Sequence, residues 1–152
     1  MAGVCTPVSV ITAMSDGLPH GTTVSAFASL SMDPPMILVS LSRTSNLLAV
    51  IRTTGWFGVN VLASEQSALA AGFARKGGTD KFNGVPWLSE GGVPRLPDSA
   101  GFLVCRVSQF VAGGDHIILL GEVVTARPVR ARPLTYHGRA FGTHLPHHAH
   151  VV

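Results

Sequence analysis

Residues 102–112 read Phe-Leu-Val-Cys-Arg-Val-Ser-Gln-Phe-Val-Ala, and this stretch decides the fold class of the chain. Its odd positions are mostly apolar, whereas its even positions include Arg106 and Ser108. An alternation with a period of two is typical of a β-strand with one buried face and one wetter face. The stretch therefore predicts a strand whose odd face, which carries Cys105, points to the core.

Five further short runs have strand character, and glycines and prolines lie between them. The chain holds 17 Gly and 10 Pro, which are spread along it rather than gathered in a linker. This distribution indicates turns between strands of one domain. The predicted strands are residues 8–13, 21–25, 36–41, 57–62, 102–112 and 117–126.

Two segments have helical spacing of their apolar residues instead. Residues 45–53 have Ser45 as the expected N-cap and Gly55 beyond the expected end. Residues 64–76 have Ser64 as the expected N-cap, two basic residues in the last turn and a Gly-Gly stop. Many short strands with two flanking helices predict a mainly β fold, and an antiparallel barrel describes it best.

The 152-residue chain is unusually poor in charge. Asp, Glu, Lys and Arg make up 12% of it, against about 25% in an average soluble domain, and 46% of it is apolar. This composition excludes intrinsic disorder, which needs low hydrophobicity and high net charge. So few charges also predict that another subunit, a cofactor or both cover part of the surface.

The sequence has no clear membrane segment. Its longest stretch without charge, residues 17–32, is filled with Gly, Ser and Thr, whereas a spanning helix needs about 20 mostly apolar residues. Residues 1–13 lack the basic start of a signal peptide. We predict a soluble, cytoplasmic protein with no membrane partner, in which Cys5 and Cys105 are free thiols.

Basic residues concentrate near the end of the chain. The net charge is +3, no acid follows Glu122, and four arginines lie within residues 127–139. Such a cluster could meet nucleic acid, or equally the phosphate of a small molecule. The ten aromatic residues do not interleave with the arginines as a platform for stacked bases would require, so we predict no nucleic-acid partner.

Two hydroxyl-rich stretches are candidates for binding a polar, anionic ligand. Residues 20–31 carry five hydroxyls among small side chains, which let a ligand approach backbone N–H donors. Residues 40–46, Ser-Leu-Ser-Arg-Thr-Ser-Asn, end where a helix is predicted to begin, and helix N-termini favour phosphate. The alternative is that Ser and Thr simply fill strand and turn positions.

The familiar motifs of autonomous catalysis are missing from the sequence. It has no Gly-x-Ser-x-Gly elbow, no Walker loop, no Gly-x-Gly-x-x-Gly and no His-Glu-x-x-His, and its eight carboxylates form no obvious pair. If the protein is an enzyme, a cofactor is expected to supply the difficult chemistry.

Five segments in order resemble the short-chain flavin reductases, the FMN-binding split-barrel reductase components of two-component flavin monooxygenases. The resemblance covers about residues 4–142, and it is the order of the segments that makes it specific. The segments are residues 22–35, 55–62, 73–75 with 80–82, 114–123 and 133–138.

The resemblance implies a fold, an activity and partners. The fold would be a Greek-key-like, FMN-binding split β-barrel, forming one domain over residues 1–143, followed by a His-rich tail at 144–152. The protein would be a homodimer with FMN or FAD near the subunit interface. It would use NADH or NADPH to reduce the flavin and supply it to a transient flavin-dependent monooxygenase partner.

By the same resemblance, residues in three regions would contact the flavin. The first group would line the isoalloxazine and ribityl, the second would hold the phosphate, and the third would close over the flavin. They are Thr22, Thr23, Val24, Ser25, Ala26, Ser29, Leu30 and Ser31; then Ser42, Arg43, Ser45 and Asn46; and then Phe73 and Arg75.

The nicotinamide would be bordered by His116, Tyr136, His137 and Gly138. His116 is the candidate catalytic residue, acting by positioning and charge stabilisation. Such a site suits hydride transfer from nicotinamide C4 to flavin N5, because the protein need only stack the two rings and polarise the flavin. The alternative function is a non-catalytic flavin-binding protein, or an electron carrier with tightly bound FMN.

The His-rich tail has four histidines, His144, His147, His148 and His150. Imidazoles can bind Zn, Ni or Cu, but two of the four are adjacent, and no Cys or acid joins them. We therefore predict no functional metal site.

Overall fold

The computed structural model of the chain describes residues 3–146, and most of them lie in strands. The mainly β class with two flanking helices is therefore confirmed. The strands are β1 Thr6–Pro7, β2 Ser9–Ser15, β3 Leu18–Val24, β4 Phe27–Met32, β5 Pro35–Ser42, β6 Trp56–Val61, β7 Leu88–Glu90, β8 Val93–Arg95, β9 Gly101–Gly113, β10 His116–Pro128, β11 Leu134–His137 and β12 Ala140–Thr143; the α-helices are α1 Asn46–Thr54 and α2 Ser67–Ala74, and 3₁₀ turns span Ser64–Gln66 and Thr79–Phe82.

A seven-stranded antiparallel sheet forms the body of the fold. Its strand order is β3-β2-β6-β9-β10-β5-β4, so β3 and β4 lie at its two ends. These two strands are joined by only Ser25 and Ala26, and the N–H of Ser40 on β5 donates to the carbonyl of Ala26 at 3.0 Å. The sheet must therefore curl until its ends approach each other.

Strand β9 confirms the strand predicted at residues 102–112, but its burial differs from the predicted alternation. Cys105 is buried and Arg106 is exposed, as expected. However, Phe102 and Val104 of the even face are also buried, because they pack against Val93 of β8. The short β7–β8 hairpin, which the sequence reading missed, covers the even face at this end.

The six predicted strands all exist, and their ends move by a few residues. Six others were missed, namely β1, β4, β7, β8, β11 and β12. Strand β4 is instructive because its side chains are mostly exposed, including Leu30 and Met32, so it has no buried face to produce an alternating pattern.

Helix α1 begins and ends as predicted to within a residue. Ser45 stands at the N-cap, and Gly55 ends the helix in the left-handed conformation, with its N–H donating to Ile51 O at 2.8 Å. The prediction for the second helix was wrong at both ends. Ala63, rather than Ser64, precedes the 3₁₀ turn, because the side chain of Gln66 accepts from its N–H.

The second helix, α2, also ends early. Arg75 has extended backbone, so the two basic residues that follow Ala74 lie beyond the last turn instead of within it. This places them on a connecting segment that runs to the Thr79–Phe82 turn.

Two apolar clusters form most of the core. The larger joins the inner face of the sheet to α1 and contains Leu48, Ile51 and Phe57. The other lies beneath α2 and is centred on Phe73 and Phe82, whose rings meet edge to face at 4.8 Å. Neither helix within residues 3–146 is long and apolar enough to cross a lipid bilayer.

A buried amide fixes the segment that follows β8. The Asn60 side chain donates to Val10 O at 3.2 Å and accepts from Leu96 N–H at 2.7 Å. Because a buried polar group without a partner costs about 1–3 kcal/mol, these bonds hold the segment against β2 and β6.

The two free cysteines should differ sharply in reactivity. Cys5 is exposed, whereas Cys105 is buried, and burial raises the pKa of the Cys105 thiol to about 12. Because the thiolate is the reactive form, we expect one thiol per chain to react with Ellman's reagent at pH 8, and two after denaturation. Cys5→Ser should leave no reactive thiol in the native protein. Two rapidly reacting thiols in the native wild type would contradict the burial of Cys105.

Candidate functional site

A cleft of about 470 Å³ opens between the sheet and the segment that follows α2. One wall is the middle of β3, the second is the end of β5 with the start of α1, and the third is the connection after α2. The lining residues are His20, Gly21, Thr22, Ser42, Thr44, Ser45, Asn46, Leu47, Ala74, Arg75, Lys76, Gly77, Gly78 and Lys81.

Hydroxyls and a helix N-terminus form the second wall. The hydroxyls of Ser42 and Thr44 are hydrogen-bonded at 3.0 Å, and Ser45 N–H donates to Ser42 O at 3.0 Å, which closes the turn into α1. Ser45 occupies the N-cap, yet its hydroxyl makes no capping hydrogen bond. The first N–H groups of α1 and the positive end of its dipole are therefore left for a ligand in the cleft.

Cations dominate the third wall. Arg75 and Lys76 are exposed there, Lys81 is only 8% exposed, and none of the described residues that line the cleft is acidic. The ammonium of Lys81 donates to Phe73 O at 3.0 Å and to Gly21 O at 3.3 Å. It thereby links the end of α2 to β3.

The Lys81 ammonium lacks a salt-bridge partner among residues 3–146. Burial lowers the pKa of Lys81, the nearby charge of Asp80 opposes this shift, and Arg75 adds to it. One Asp80 carboxylate oxygen is already occupied, since it accepts from Gly78 N–H at 2.7 Å. The cleft thus contains a largely buried positive charge that carbonyl oxygens only partly compensate.

Five of the predicted site residues are brought together in this cleft. They come from β3, from the turn at the start of α1 and from the segment after α2, which lie far apart in the sequence. These residues are Thr22, Ser42, Ser45, Asn46 and Arg75.

Three other predicted flavin contacts are turned away from the cleft. The Thr23 hydroxyl donates to Ala70 O at 2.7 Å, so it faces α2. Arg43 Nε donates to Gly114 O at 2.6 Å in the β9–β10 turn. The side chain of Phe73 is 1% exposed within the second core cluster, so it supports the cleft wall from behind and does not close over it.

The remaining flavin contacts predicted from the sequence lie beyond the cleft. Ser25 and Ala26 are exposed at the corner between β3 and β4, and Val24 packs against the larger core cluster. The other three lie on β4, where a register shift separates the pairs that Ser29 and Ser31 make with β5, and Leu30 is exposed between them.

His116 begins β10 directly beside one wall of the cleft, because its Cα partner across the sheet is Ser42. Its Nδ1 lies 2.8 Å from Asp115 Oδ1, and this hydrogen bond is the main cause that lowers the pKa of Asp115. The imidazole is therefore oriented by its neighbour, one strand away from the cleft.

The predicted nicotinamide contacts at 136–138 lie in a separate three-stranded sheet, β1-β11-β12. The Tyr136 ring packs against Phe141 with 5.3 Å between the ring centroids; His137, at the end of β11, and Gly138, in the turn of the β11–β12 hairpin, are exposed. Within one chain they do not line the cleft. Of the predicted tail, His144 is exposed, and His147, His148 and His150 lie outside the described residues.

Sequence reasoning missed Lys76 and Lys81 as cleft residues, whereas His20 and Thr44 lie in its two candidate stretches, 20–31 and 40–46. One available signal was that the chain has only two lysines, Lys76 and Lys81, on either side of a Gly-Gly pair in a lysine-poor sequence. Both line the cleft.

The donor set of the cleft suits a ligand that carries a phosphate. Hydroxyls, the free N-terminus of α1 and unpaired cations all favour a dianion, and no described carboxylate lines the cleft to repel one. The apolar side chain of Leu47 also lines the cleft among these donors.

Comparison with known proteins identifies relatives over most of the chain. Residues 1–144 match the family model described as flavin reductase like domain. The chain is 39% identical, over 92% of its length and 75% of the relative's, to the reductase component of 4-nitrophenol 4-monooxygenase/4-nitrocatechol 2-monooxygenase from Rhodococcus opacus. It is 36% identical, over 90% of its length and 78% of the relative's, to an FMN reductase (NADH) from Agrobacterium fabrum.

A solved structure agrees with these matches. The fold superposes on the NADH:FAD oxidoreductase of Streptomyces globisporus with a TM-score of 0.89 and 30% sequence identity. The alignment covers 95% of this chain and 89% of that one.

Proposed function

Because the chain belongs to the flavin reductase like family, we propose that it is an NAD(P)H:flavin oxidoreductase whose cleft binds FMN or FAD. The observation that carries the proposal is the uncapped N-terminus of α1, which lines the same cleft as Arg75, Lys76 and Lys81. The flavin phosphate, common to FMN and FAD, would lie there. The related proteins include one named for FMN and one named for FAD, and both are named for NADH.

The residues of this chain have distinct tasks in that reaction. Ser42, Ser45 and Asn46 would hold the phosphate, and Thr22 on the facing strand would contact the ribityl chain or ring. When bound, the flavin supplies the hydride-accepting atom. The hydroxyls of Ser25, Ser29 and Ser31 would lie along the ring and keep it oriented, which suits hydride transfer because stacking and polarisation are what the reaction needs.

His116 would border the nicotinamide and act by positioning and charge stabilisation. Its register position beside Ser42, which lines the cleft, and its hydrogen bond to Asp115 support this role. A His116→Ala variant would then be altered in the KM for NADH or in kcat.

The functional unit would be a homodimer. The chain exposes large apolar side chains on β4 and β10, with Met32 85% exposed and Val124 54% exposed, in a sequence with only 12% charged residues. A second copy would cover such a surface and could bring the β11–β12 hairpin, with Tyr136, His137 and Gly138, to the cleft of its neighbour.

Sedimentation velocity at micromolar concentration tests this arrangement. We expect one species of about twice the 15.9 kDa chain mass. Met32→Glu, which places a charge on the exposed strand, should shift the population towards monomer, whereas Arg52→Gln on α1 should not. A wild-type protein that sediments as a monomer would contradict the homodimer.

The reduced flavin would leave the protein for a flavin-dependent monooxygenase in the cytoplasm. The naming of the Rhodococcus relative as a monooxygenase reductase component supports this partner. A bound-flavin electron carrier is the alternative, and the open cleft favours exchange of the flavin over tight retention.

One assay tests the proposed function. Purified protein is mixed with NADH and an excess of FMN, and absorbance at 340 nm is followed, with NADPH and FAD as parallel substrates. Steady oxidation over many turnovers supports the reductase. Oxidation of one equivalent followed by arrest would indicate a carrier, and a protein that binds no flavin would defeat both.

A further inference from the structure

Among the described residues that line the cleft, Lys81 is the charged side chain that is largely buried. The Lys81 residue is 8% exposed, and its ammonium makes two hydrogen bonds, to the carbonyls of Gly21 and Phe73. An ammonium has three N–H donors, so one remains, and Lys81 lines the cleft. A buried charge is stable only when it is paired and hydrogen-bonded, which indicates that a cleft ligand completes the arrangement.

Arg43 lies outside the lining of the cleft. The sequence reading placed its guanidinium on the phosphate, but its Nε donates to Gly114 O, and Arg43 is not among the residues that line the cleft. The cations that line the cleft are Arg75, Lys76 and Lys81, all on the segment that follows α2. Arg75 and Lys76 are exposed there, whereas the Lys81 ammonium is held in place by backbone carbonyls of two elements.

On the basis of the proposed flavin-binding function, we propose that Lys81 binds the phosphate of the flavin, facing the N-terminus of α1 across the cleft. A phosphate dianion matches this site better than the neutral flavin ring does, because the cations and the helix end together supply more than one unit of positive charge. Lys81 is thus a ligand-binding residue as well as a link between β3 and α2.

Binding of two flavins tests the assignment, since riboflavin lacks the phosphate that FMN carries. Flavin-free wild type, Lys81→Gln, Lys81→Arg and the charge control Arg52→Gln are titrated with each flavin, and quenching of flavin fluorescence is measured. Arg52 packs on Phe110 at 4.7 Å, and it does not line the cleft.

For Lys81→Gln we expect the Kd for FMN to rise about tenfold or more, and the Kd for riboflavin to change less than about twofold. Lys81→Arg should keep most of the FMN affinity, and Arg52→Gln should match the wild type. If Lys81→Gln binds both flavins more weakly by the same factor, or binds FMN as tightly as the wild type does, Lys81 does not bind the phosphate. The proposed flavin-binding function would still stand. A wild type that binds neither flavin would overturn the proposed function as well.

Circular dichroism will show whether Lys81→Gln is folded. If it is not, a measurement on the wild type tests the same assignment. Acetylation of Lys81 by acetic anhydride is followed by peptide mass mapping, in inorganic phosphate and in sodium chloride of equal ionic strength. Slower modification of Lys81 in phosphate supports the assignment, and equal rates in the two salts would refute it.

Discussion

Ser45→Asp should leave the protein folded but abolish its use of FMN. Ser45 stands at the N-cap of α1, where its hydroxyl makes no capping bond, and it also lines the cleft. An Asp side chain can cap the helix, which the Ser45 hydroxyl does not do, and the helix dipole stabilises its negative charge. The free energy of unfolding should therefore stay equal or rise by about 0.5–1 kcal/mol. The same carboxylate would stand where the flavin phosphate is proposed to bind.

The expected loss of FMN affinity is large. Like charges brought together cost several kcal/mol, so the Kd for FMN should rise about 100-fold or more, with a parallel rise in the KM for FMN. Riboflavin, which lacks the phosphate, should lose much less. The measurements are flavin titration, steady-state oxidation of NADH and urea unfolding on the same preparation.

The matched control is Ser67→Asp, which adds the same charge at the N-terminus of α2, outside the set of residues that line the cleft. It should change FMN affinity less than about threefold. If Ser45→Asp binds FMN as the wild type does, the phosphate does not lie at α1. If it loses riboflavin equally, the carboxylate has closed the cleft as a whole.

The parts of the fold that the sequence predicted are those with local signals. The strand at 102–112 and helix α1 follow from periodicity and end residues within a dozen positions. Strand β4 lacked such a signal because its exposed Ala and Ser bury no face. The early end of α2 was missed because basic residues are typical of a last helical turn. In the structure the helix ends at Ala74, and Arg75 and Lys76 line the cleft instead.

In the candidate site, too, the features that could be predicted are those with local sequence signals. The hydroxyls of residues 42–46 could be placed at a helix start because the whole feature is local. The orientation of the Arg43 side chain could not be predicted, since its hydrogen-bond partner Gly114 lies 71 residues away in the sequence. Lys81 likewise depends on the carbonyl of Gly21, 60 residues distant. The orientation of side chains that depend on such long-range contacts could therefore not be predicted from the sequence.

Gly121→Ala should be among the most destabilising single-methyl changes available in this chain. Gly121 lies on β10 beside a register shift, and a Cβ there would come 2.5 Å from Phe57 Cζ and 3.3 Å from Cys105 Cβ. Phe57 is fully buried in the larger core cluster, so its ring cannot swing into solvent to make room. Forcing an extra methyl into a packed core costs about 1–3 kcal/mol, and we expect about 3 kcal/mol here.

The informative comparison is Gly72→Ala, the same chemical change at a site of opposite character. Gly72 lies within α2, and a Cβ there would meet nothing within 4 Å. Alanine removes the entropic cost of a helical glycine, so this variant should gain about 0.5–1 kcal/mol in the free energy of unfolding. Urea denaturation followed by circular dichroism measures both changes. Because the two substitutions add one identical methyl, opposite signs can come only from packing and backbone entropy. A Gly121→Ala variant as stable as the wild type would mean that β10 does not press against Phe57 in this register.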